Sequence, residues 1–154
     1  MGDRTFVSLT VLAEHAEEAR GYFTYSAYHH DDQCKEDGCA VCMFDFEEVN
    51  YGELPFLDRL EEAGIPFDSC WSSGDEYTSG QDSLRFTPNG VAIRKEISDA
   101  YINPPLQQLI ALIDDPTALR TYILAHKERV HIVGWEHQAE YRKLYLTRRL
   151  IEPK

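Results

Sequence analysis

Apolar and polar residues alternate in two segments of the first half of the chain. Val7, Leu9 and Val11 are separated by polar residues, and the alternation recurs over 40–47. Because residues two positions apart on an extended chain share a face, each segment predicts a half-buried strand. The apolar run 65–71 predicts a further strand.

Helical spacing of apolar residues predicts two helices between these strands. The first begins at Leu12 and ends near position 25. The second covers 53–63 and is followed by Gly64 and Pro66, which are typical of a helix end. The polar segments 29–38 and 72–80 are predicted to be exposed loops.

Pro88-Asn89-Gly90 predicts the turn of a β-hairpin, because glycine adopts the positive φ angles that such turns require. Leu84 and Phe86 precede this turn, and Val91 and Ile93 follow it. We expect all four of these side chains to be buried.

Three helices are predicted in the last third of the chain. Asn103-Pro104 and Asp115-Pro116 each place a side-chain acceptor before a proline, which is typical of a helix start. The last helix is predicted over 135–151. Apolar side chains of the first two helices are expected to face the core, namely Leu106, Leu109, Ile110, Ile113, Leu119, Tyr122 and Ile123.

The order of these elements indicates an α+β fold. Strands and helices alternate in the first half, and helices follow in the second. The chain has 154 residues, of which 43% are hydrophobic, and this suffices for one core. We therefore expect residues 1–154 to form a single compact α+β domain with a mixed or antiparallel sheet of about five strands and a helical C-terminal part.

Negative charge is concentrated in the first half of the chain. Residues 1–82 contain 19 Asp and Glu against four Lys and Arg, a net charge of -15, whereas residues 83–154 contain eight against eleven, a net charge of +3. Direct nucleic-acid binding depends on Lys and Arg that neutralise phosphates, so it is not expected. A basic protein surface is the expected partner.

The sequence lacks the patterns of membrane and secreted proteins. No apolar run approaches the roughly 18 to 20 residues that cross a bilayer, and the N-terminus does not resemble a signal peptide. Four cysteines, three of them within nine residues, do not form the framework of a disulfide-rich secreted domain. We expect a cytoplasmic protein without membrane association.

Three cysteines, Cys34, Cys39 and Cys42, have the spacing C-x4-C-x2-C. The spacing resembles the ligand run of plant-type ferredoxins, which implies a two-iron cluster, but the resemblance is confined to spacing. The acidic residues in this loop oppose an anionic cluster. Cys42 also shares the phase of neighbouring phenylalanines, which indicates a buried thiol. Unligated thiols and no cofactor are therefore expected.

Zinc is the alternative for these cysteines. His30 or His29 together with Cys34, Cys39 and Cys42 offers one nitrogen and three sulfurs, which is a suitable donor set for a tetrahedral zinc site. A zinc-stabilised regulatory module would use this set.

Tyrosines and acids in the first half form the predicted partner-binding surface. Tyrosine offers a large contact area with a polar end and is enriched in interface hot spots. Acids clustered beside tyrosines can present carboxylates to a groove that ordinarily holds phosphates. The predicted binding residues are Tyr22, Tyr25, Tyr28, Asp31, Asp32, Glu36, Asp37, Glu47, Glu48, Asp75, Glu76 and Tyr77.

These observations favour a binding protein over an enzyme. No nucleophile elbow, phosphate-binding loop, dinucleotide fingerprint or H-E-x-x-H helix occurs in the sequence. We expect a small acidic protein that engages a basic protein surface, and in the sharpest form of this hypothesis it inhibits a nucleic-acid-binding protein by phosphate mimicry. The alternatives are the zinc module and an enzyme that uses the glycine- and hydroxyl-containing loop 72–80.

Overall fold

One antiparallel sheet of six strands organises the computed structural model, which describes residues 4–151 and, over 28–34, only the backbone. The strands are β1 (Arg4–Leu12), β2 (Tyr28–Glu36), β3 (Cys39–Asn50), β4 (Phe67–Trp71), β5 (Gly80–Phe86) and β6 (Ala92–Ser98). Their order in the sheet is β2-β3-β1-β4-β5-β6, and each neighbouring pair is antiparallel. The α+β prediction is confirmed.

Five α-helices accompany the sheet in the described part of the chain. They are α1 (Ala16–Arg20), α2 (Leu57–Glu62), α3 (Leu106–Ala111), α4 (Pro116–Val130) and α5 (Gln138–Ile151). None of them is long and apolar enough to cross a membrane. The C-terminal part is helical, as predicted.

The two predicted proline-based helix starts differ in outcome. Asp115 caps α4, because its Oδ1 accepts hydrogen bonds from the backbone N–H groups of Thr117 (3.1 Å) and Ala118 (2.9 Å). The start predicted at Asn103-Pro104 is wrong, since α3 begins only at Leu106.

The loop predicted over 29–38 is also wrong, because most of it forms strand β2. Asp37 (φ 49°) and Gly38 (φ 78°) form a tight turn that brings Glu36 opposite Cys39. Strand β2 lies at the edge of the sheet, where a strand needs only one hydrogen-bonded neighbour and its side chains can be polar on both faces.

The main core lies on one face of the sheet, beneath α1, α2 and α5. Leu84 and Phe86 belong to it, with Gly90 at positive φ in the hairpin turn, as predicted. The expected burial of Val91 and Ile93 is wrong, because their residue surfaces are 47% and 44% exposed. Val91 lies in the turn, and Ile93 pairs with Arg85 on the opposite face of the sheet.

Two residues near the start of α5 attach the C-terminal region to the sheet. The side-chain amide of Gln138 donates to the carbonyl oxygen of Phe86 (3.1 Å) and accepts from its backbone N–H (2.7 Å), as a neighbouring strand would. Trp135 is buried on the face opposite the main core, where it packs with Leu12 and Val41.

The segment 101–131, here called the helical arm, contains α3 and α4. Neither helix contains a buried residue within the described chain. The expectation that their apolar side chains face the core is therefore wrong. The residues concerned are Leu106, Leu109, Ile110, Ile113, Leu119, Tyr122 and Ile123, and all of them are exposed or half-buried.

Candidate functional site

A cleft of about 610 Å³ opens on the core face of the sheet, between α2 with its preceding loop and the β4–β5–β6 end. Ser69, Asp82 and Glu96 line it and are register partners across the three strands. Because residues paired across a sheet share a face, the register brings these polar side chains to one surface. The volume is typical of small-ligand sites.

Aromatic side chains form one wall of the cleft. Trp71 packs closely against two glycines, because a Cβ at Gly52 would lie 2.7 Å from Trp71 Cβ and one at Gly80 would lie 2.5 Å from Trp71 Cζ2. The indole Nε1 donates to the carbonyl oxygen of Thr78 (2.9 Å). Two further lining residues, Tyr51 and Tyr77, are in edge-to-face contact with ring centroids 6.1 Å apart.

An arginine that lines the cleft is surrounded by carboxylates. Arg94 Nε and Nη2 donate to both oxygens of Asp82 (2.8–3.2 Å), and Nη1 donates to Asp58 (2.6 Å) and Glu61 (3.0 Å). The hydrogen bonds to Asp82 are the first cause of the raised pKa of Arg94. The cluster joins α2 to the β5–β6 hairpin.

Two other carboxylates line the cleft without such a partner. The side chains of Glu53 and Glu96 make no hydrogen bond or ion pair with the described residues. The site contains five acids and one base, Arg94, so its formal net charge is -4. The acids are Glu53, Asp58, Asp82, Glu96 and the adjacent Glu61. The arrangement suits a cation.

Two hydroxyl groups at the cleft are buried without a partner among the described residues. Ser69 is 1% exposed, and its Oγ makes no hydrogen bond with the described residues. The hydroxyl oxygen of Tyr77 is also buried and also makes no such hydrogen bond. An unpaired buried polar group costs about 1 to 3 kcal/mol. A ligand that bonds to these oxygens would recover that free energy.

The described members of the predicted set of tyrosines and acids lie in several different environments. Tyr22 and Tyr25 are half-buried and pack against the core. Trp135 Nε1 donates to Glu36 (2.8 Å), and Arg4 forms an exposed ion pair with Glu48 (2.6 Å). The side chains of Tyr28, Asp31 and Asp32 lie outside the description, whereas Asp37 and Glu47 are exposed.

The loop that follows β4 contributes to a second groove beside the cleft. Asp75, Glu76 and Tyr77 line this groove of about 730 Å³, together with Asp99. Ser79 Oγ donates to Asp99 Oδ2 (2.5 Å). Tyr77 lines both depressions, so it connects the predicted binding loop with the acidic cleft.

The cysteines do not form a cluster in the described chain. Cys42 is buried in the main core, as predicted, and burial raises the pKa of its thiol. The pKa of Cys70 is raised to about 11, first by partial desolvation of its thiol and then by the nearby negative charge of Asp68. Both thiols are therefore protonated at neutral pH.

The zinc alternative concerns residues that are only partly described. No three described His, Cys, Asp or Glu side chains are placed to share a metal ion. His29, His30 and Cys34 belong to the segment whose side chains lie outside the description. Cys39 is half-buried at the start of β3. The zinc site stays a prediction.

Several residues of the cleft are missing from the sequence-based prediction, chiefly Ser69, Trp71, Asp82 and Arg94. A signal exists at Asp82, because a charged residue there shares the phase of the buried Leu84 and Phe86. Such a residue is buried only with a partner, but the sequence does not name Arg94 as that partner.

Comparison with known proteins gives no relative for this acidic cleft. No family model matches the chain, and neither the curated proteins nor the solved structures contain a match.

Proposed function

We propose that the protein is a binding protein whose acidic cleft accepts a cationic side chain from a basic protein surface. The observation that carries the proposal is the presence of two unpaired carboxylates, Glu53 and Glu96, beside an aromatic wall. A guanidinium or ammonium group gains charge attraction from the carboxylates and cation–π attraction from the rings. Its aliphatic stem packs on the apolar surface of Trp71.

The buried hydroxyl groups support a ligand with hydrogen-bond donors. Lysine and arginine offer donors only, which match the acceptor oxygens of Ser69 and Tyr77. Arginine is favoured over lysine because its planar guanidinium contacts a carboxylate with two donors and stacks on aromatic rings.

Neutralising the two unpaired carboxylates tests this proposal. An arginine-rich peptide should bind the wild type, and the Glu53→Gln/Glu96→Gln variant should bind it about tenfold more weakly because two attractive charges are lost. Isothermal titration calorimetry measures both affinities. Added salt should weaken binding to the wild type, since it screens the remaining attraction.

The matched control removes two exposed acids of the first half, away from the cleft, in Glu14→Gln/Glu17→Gln. This variant has the same net charge as the test variant but keeps the cleft, so its affinity should stay within about twofold of the wild type. Equal losses in both variants would contradict a localised site. Failure of the wild type to bind the peptide would also reject the proposal.

The finer form of the proposal is inhibition of a nucleic-acid-binding protein by phosphate mimicry. Support comes from the charge of -15 in residues 1–82. The turn between β2 and β3 carries exposed Asp37, and Glu36 accepts a hydrogen bond from Trp135. The variant that tests this form replaces Glu by Gln and Asp by Asn. Both amides keep an acceptor oxygen, and Asn tolerates the positive φ of position 37.

A displacement experiment tests this form. Wild-type protein should release double-stranded DNA from an arginine-rich peptide, as followed by fluorescence anisotropy of labelled DNA. Neutralisation of the four acids of the β2–β3 hairpin (the hairpin variant) should raise the concentration of protein needed about tenfold, because their attraction is lost. The variant combines Asp31→Asn, Asp32→Asn, Glu36→Gln and Asp37→Asn.

A control with four neutralised acids elsewhere separates position from total charge. It combines Glu14→Gln, Glu17→Gln, Glu128→Gln and Glu140→Gln. The phosphate-mimicry hypothesis requires this control to displace DNA better than the hairpin variant does. Equal displacement by the two variants would show that only the total charge matters.

A further inference from the structure

The helical arm exposes an unusual amount of apolar surface. Leu106 and Ile110 lie one turn apart on the same side of α3, and Ile113 follows in the next turn. Seven apolar residues of the arm are 45% to 70% exposed. They are Tyr101, Ile102, Leu106, Ile110, Ile113, Ile123 and Leu124.

The exposed area is large enough for a stable interface. With a full residue surface of about 200 Å², these side chains together expose on the order of 800 Å². One partner in a standard protein–protein interface contributes about 800 Å².

The arm is held to the domain at few points. Lys95 Nζ donates to the carbonyl oxygens of Glu128 and His131 (both 2.7 Å), which fixes the C-terminal end of α4 to β6. Within the arm, Tyr122 donates to Gln108 (2.5 Å). These contacts orient α3 and α4 relative to each other and leave the apolar side chains of α3 uncovered.

The charge of the arm indicates what covers it. Residues 101–131 contain three acids (Asp114, Asp115 and Glu128) and three bases (Arg120, Lys127 and Arg129), so their net charge is zero, while the remaining residues carry the whole -12. Two copies that met through residues 1–82, which carry a net charge of -15, would bring strongly negative surfaces together. Two copies that met through the arm would not.

We propose that the helical arm is a homodimer interface that pairs with the arm of a second copy of this chain. The two copies are related by a twofold axis, so that the same surface is buried on both. Leu106, Ile110 and Ile113 form its centre. The acidic cleft lies outside this interface, and the proposal does not depend on the cation-binding function.

The molar mass of the full-length protein in solution tests the proposal. Light scattering at micromolar concentration should give twice the chain mass of 17.7 kDa for the wild type. The Leu106→Gln/Ile110→Gln variant should have the mass of one chain, because two polar amides would be desolvated at the centre of the interface. Both positions are exposed, so the fold should persist, as checked by circular dichroism.

The control variant Leu150→Gln/Ile151→Gln changes two exposed apolar residues of α5 and should remain dimeric. Hydrogen exchange of the wild type needs no variant and should show protection within 101–131 that increases with protein concentration. A monomeric wild type overturns the proposal, even if its arm binds vesicles or another protein. A dimeric arm variant overturns it as well.

Discussion

Replacement of Phe86 by alanine is expected to lower the free energy of unfolding by about 3 to 5 kcal/mol. The side chain is 1% exposed, and its ring centroid lies 4.7 Å from that of Tyr145 on α5. The variant leaves a cavity between β5 and α5, where both the transfer free energy of the ring and its packing contacts are lost. Urea denaturation followed by circular dichroism measures the change.

Ile93 in the same hairpin provides the control. Its side chain is on the opposite face from Phe86, and the residue is 44% exposed. Ile93→Ala should therefore cost about 1 kcal/mol or less, because little apolar surface is returned to water. A loss below about 1 kcal/mol for Phe86→Ala would contradict its place in the core.

Strands with one apolar face are the part of the fold that the sequence predicts well. In β1, burial follows the period of two over 4–9, as the alternation of the sequence predicts, whereas 10–12 of β1 and 82–86 of β5 are buried without alternation. The signal for the hairpin turn is local, since Gly90 supplies the positive φ that the turn requires. These features depend on neighbours within the same short segment.

Strand β2 shows why the prediction fails at a sheet edge. Its sequence alternates neither in polarity nor in size, so no pattern separates it from a loop. What makes it extended is pairing with β3, which the turn at Asp37-Gly38 imposes. Backbone hydrogen bonds of this kind do not require any particular pattern of side chains in a polar edge strand.

The helical arm shows a different limit. Helical spacing correctly indicates that α3 has an apolar side, but periodicity does not state which surface covers that side. The prediction assigned it to the chain's own core, and Leu106 and Ile110 are instead exposed. The same pattern is expected whether a helix packs within its chain or against a partner.

The cleft depends on contacts between residues that are distant in sequence. Arg94 meets Asp82 across the hairpin and Asp58 from α2, which lies 36 residues earlier. Glu53, in the loop before α2, and Glu96 of β6 line the same cleft although they are 43 positions apart in the sequence. Charge counts therefore predicted an acidic half of the chain, but not the position of a cation site.

Replacement of Arg85 by methionine is expected to have an effect as large as the loss of Phe86. Arg85 is 4% exposed, donates to Asp68 Oδ2 (2.6 Å) and lies over the ring of Trp135 (3.7 Å to the centroid). Methionine keeps most of the apolar stem but leaves Asp68 as a buried, uncompensated charge. Breaking a buried ion pair in this way costs about 3 to 5 kcal/mol.

Arg85 also donates hydrogen bonds to backbone carbonyls of β4, of β5 and of the segment before α5. It donates to the carbonyl oxygens of Phe67 (2.9 Å), Leu84 (3.0 Å) and Val133 (2.9 Å), so its replacement also removes these three hydrogen bonds. The bond to Val133 joins the segment before α5 to the sheet. We therefore expect the near-ultraviolet signal of Trp135 to change in the variant as well.

A second substitution separates the charge from the packing. In the Arg85→Met background, Asp68→Asn removes the uncompensated charge and should recover about 1 to 3 kcal/mol of the lost free energy of unfolding. The exposed pair Arg4–Glu48 serves as the control, and Arg4→Met should cost about 0 to 1 kcal/mol. If Asp68→Asn recovered nothing, the loss would come from the backbone contacts and the ring of Trp135, because the uncompensated carboxylate would then contribute no measurable destabilisation.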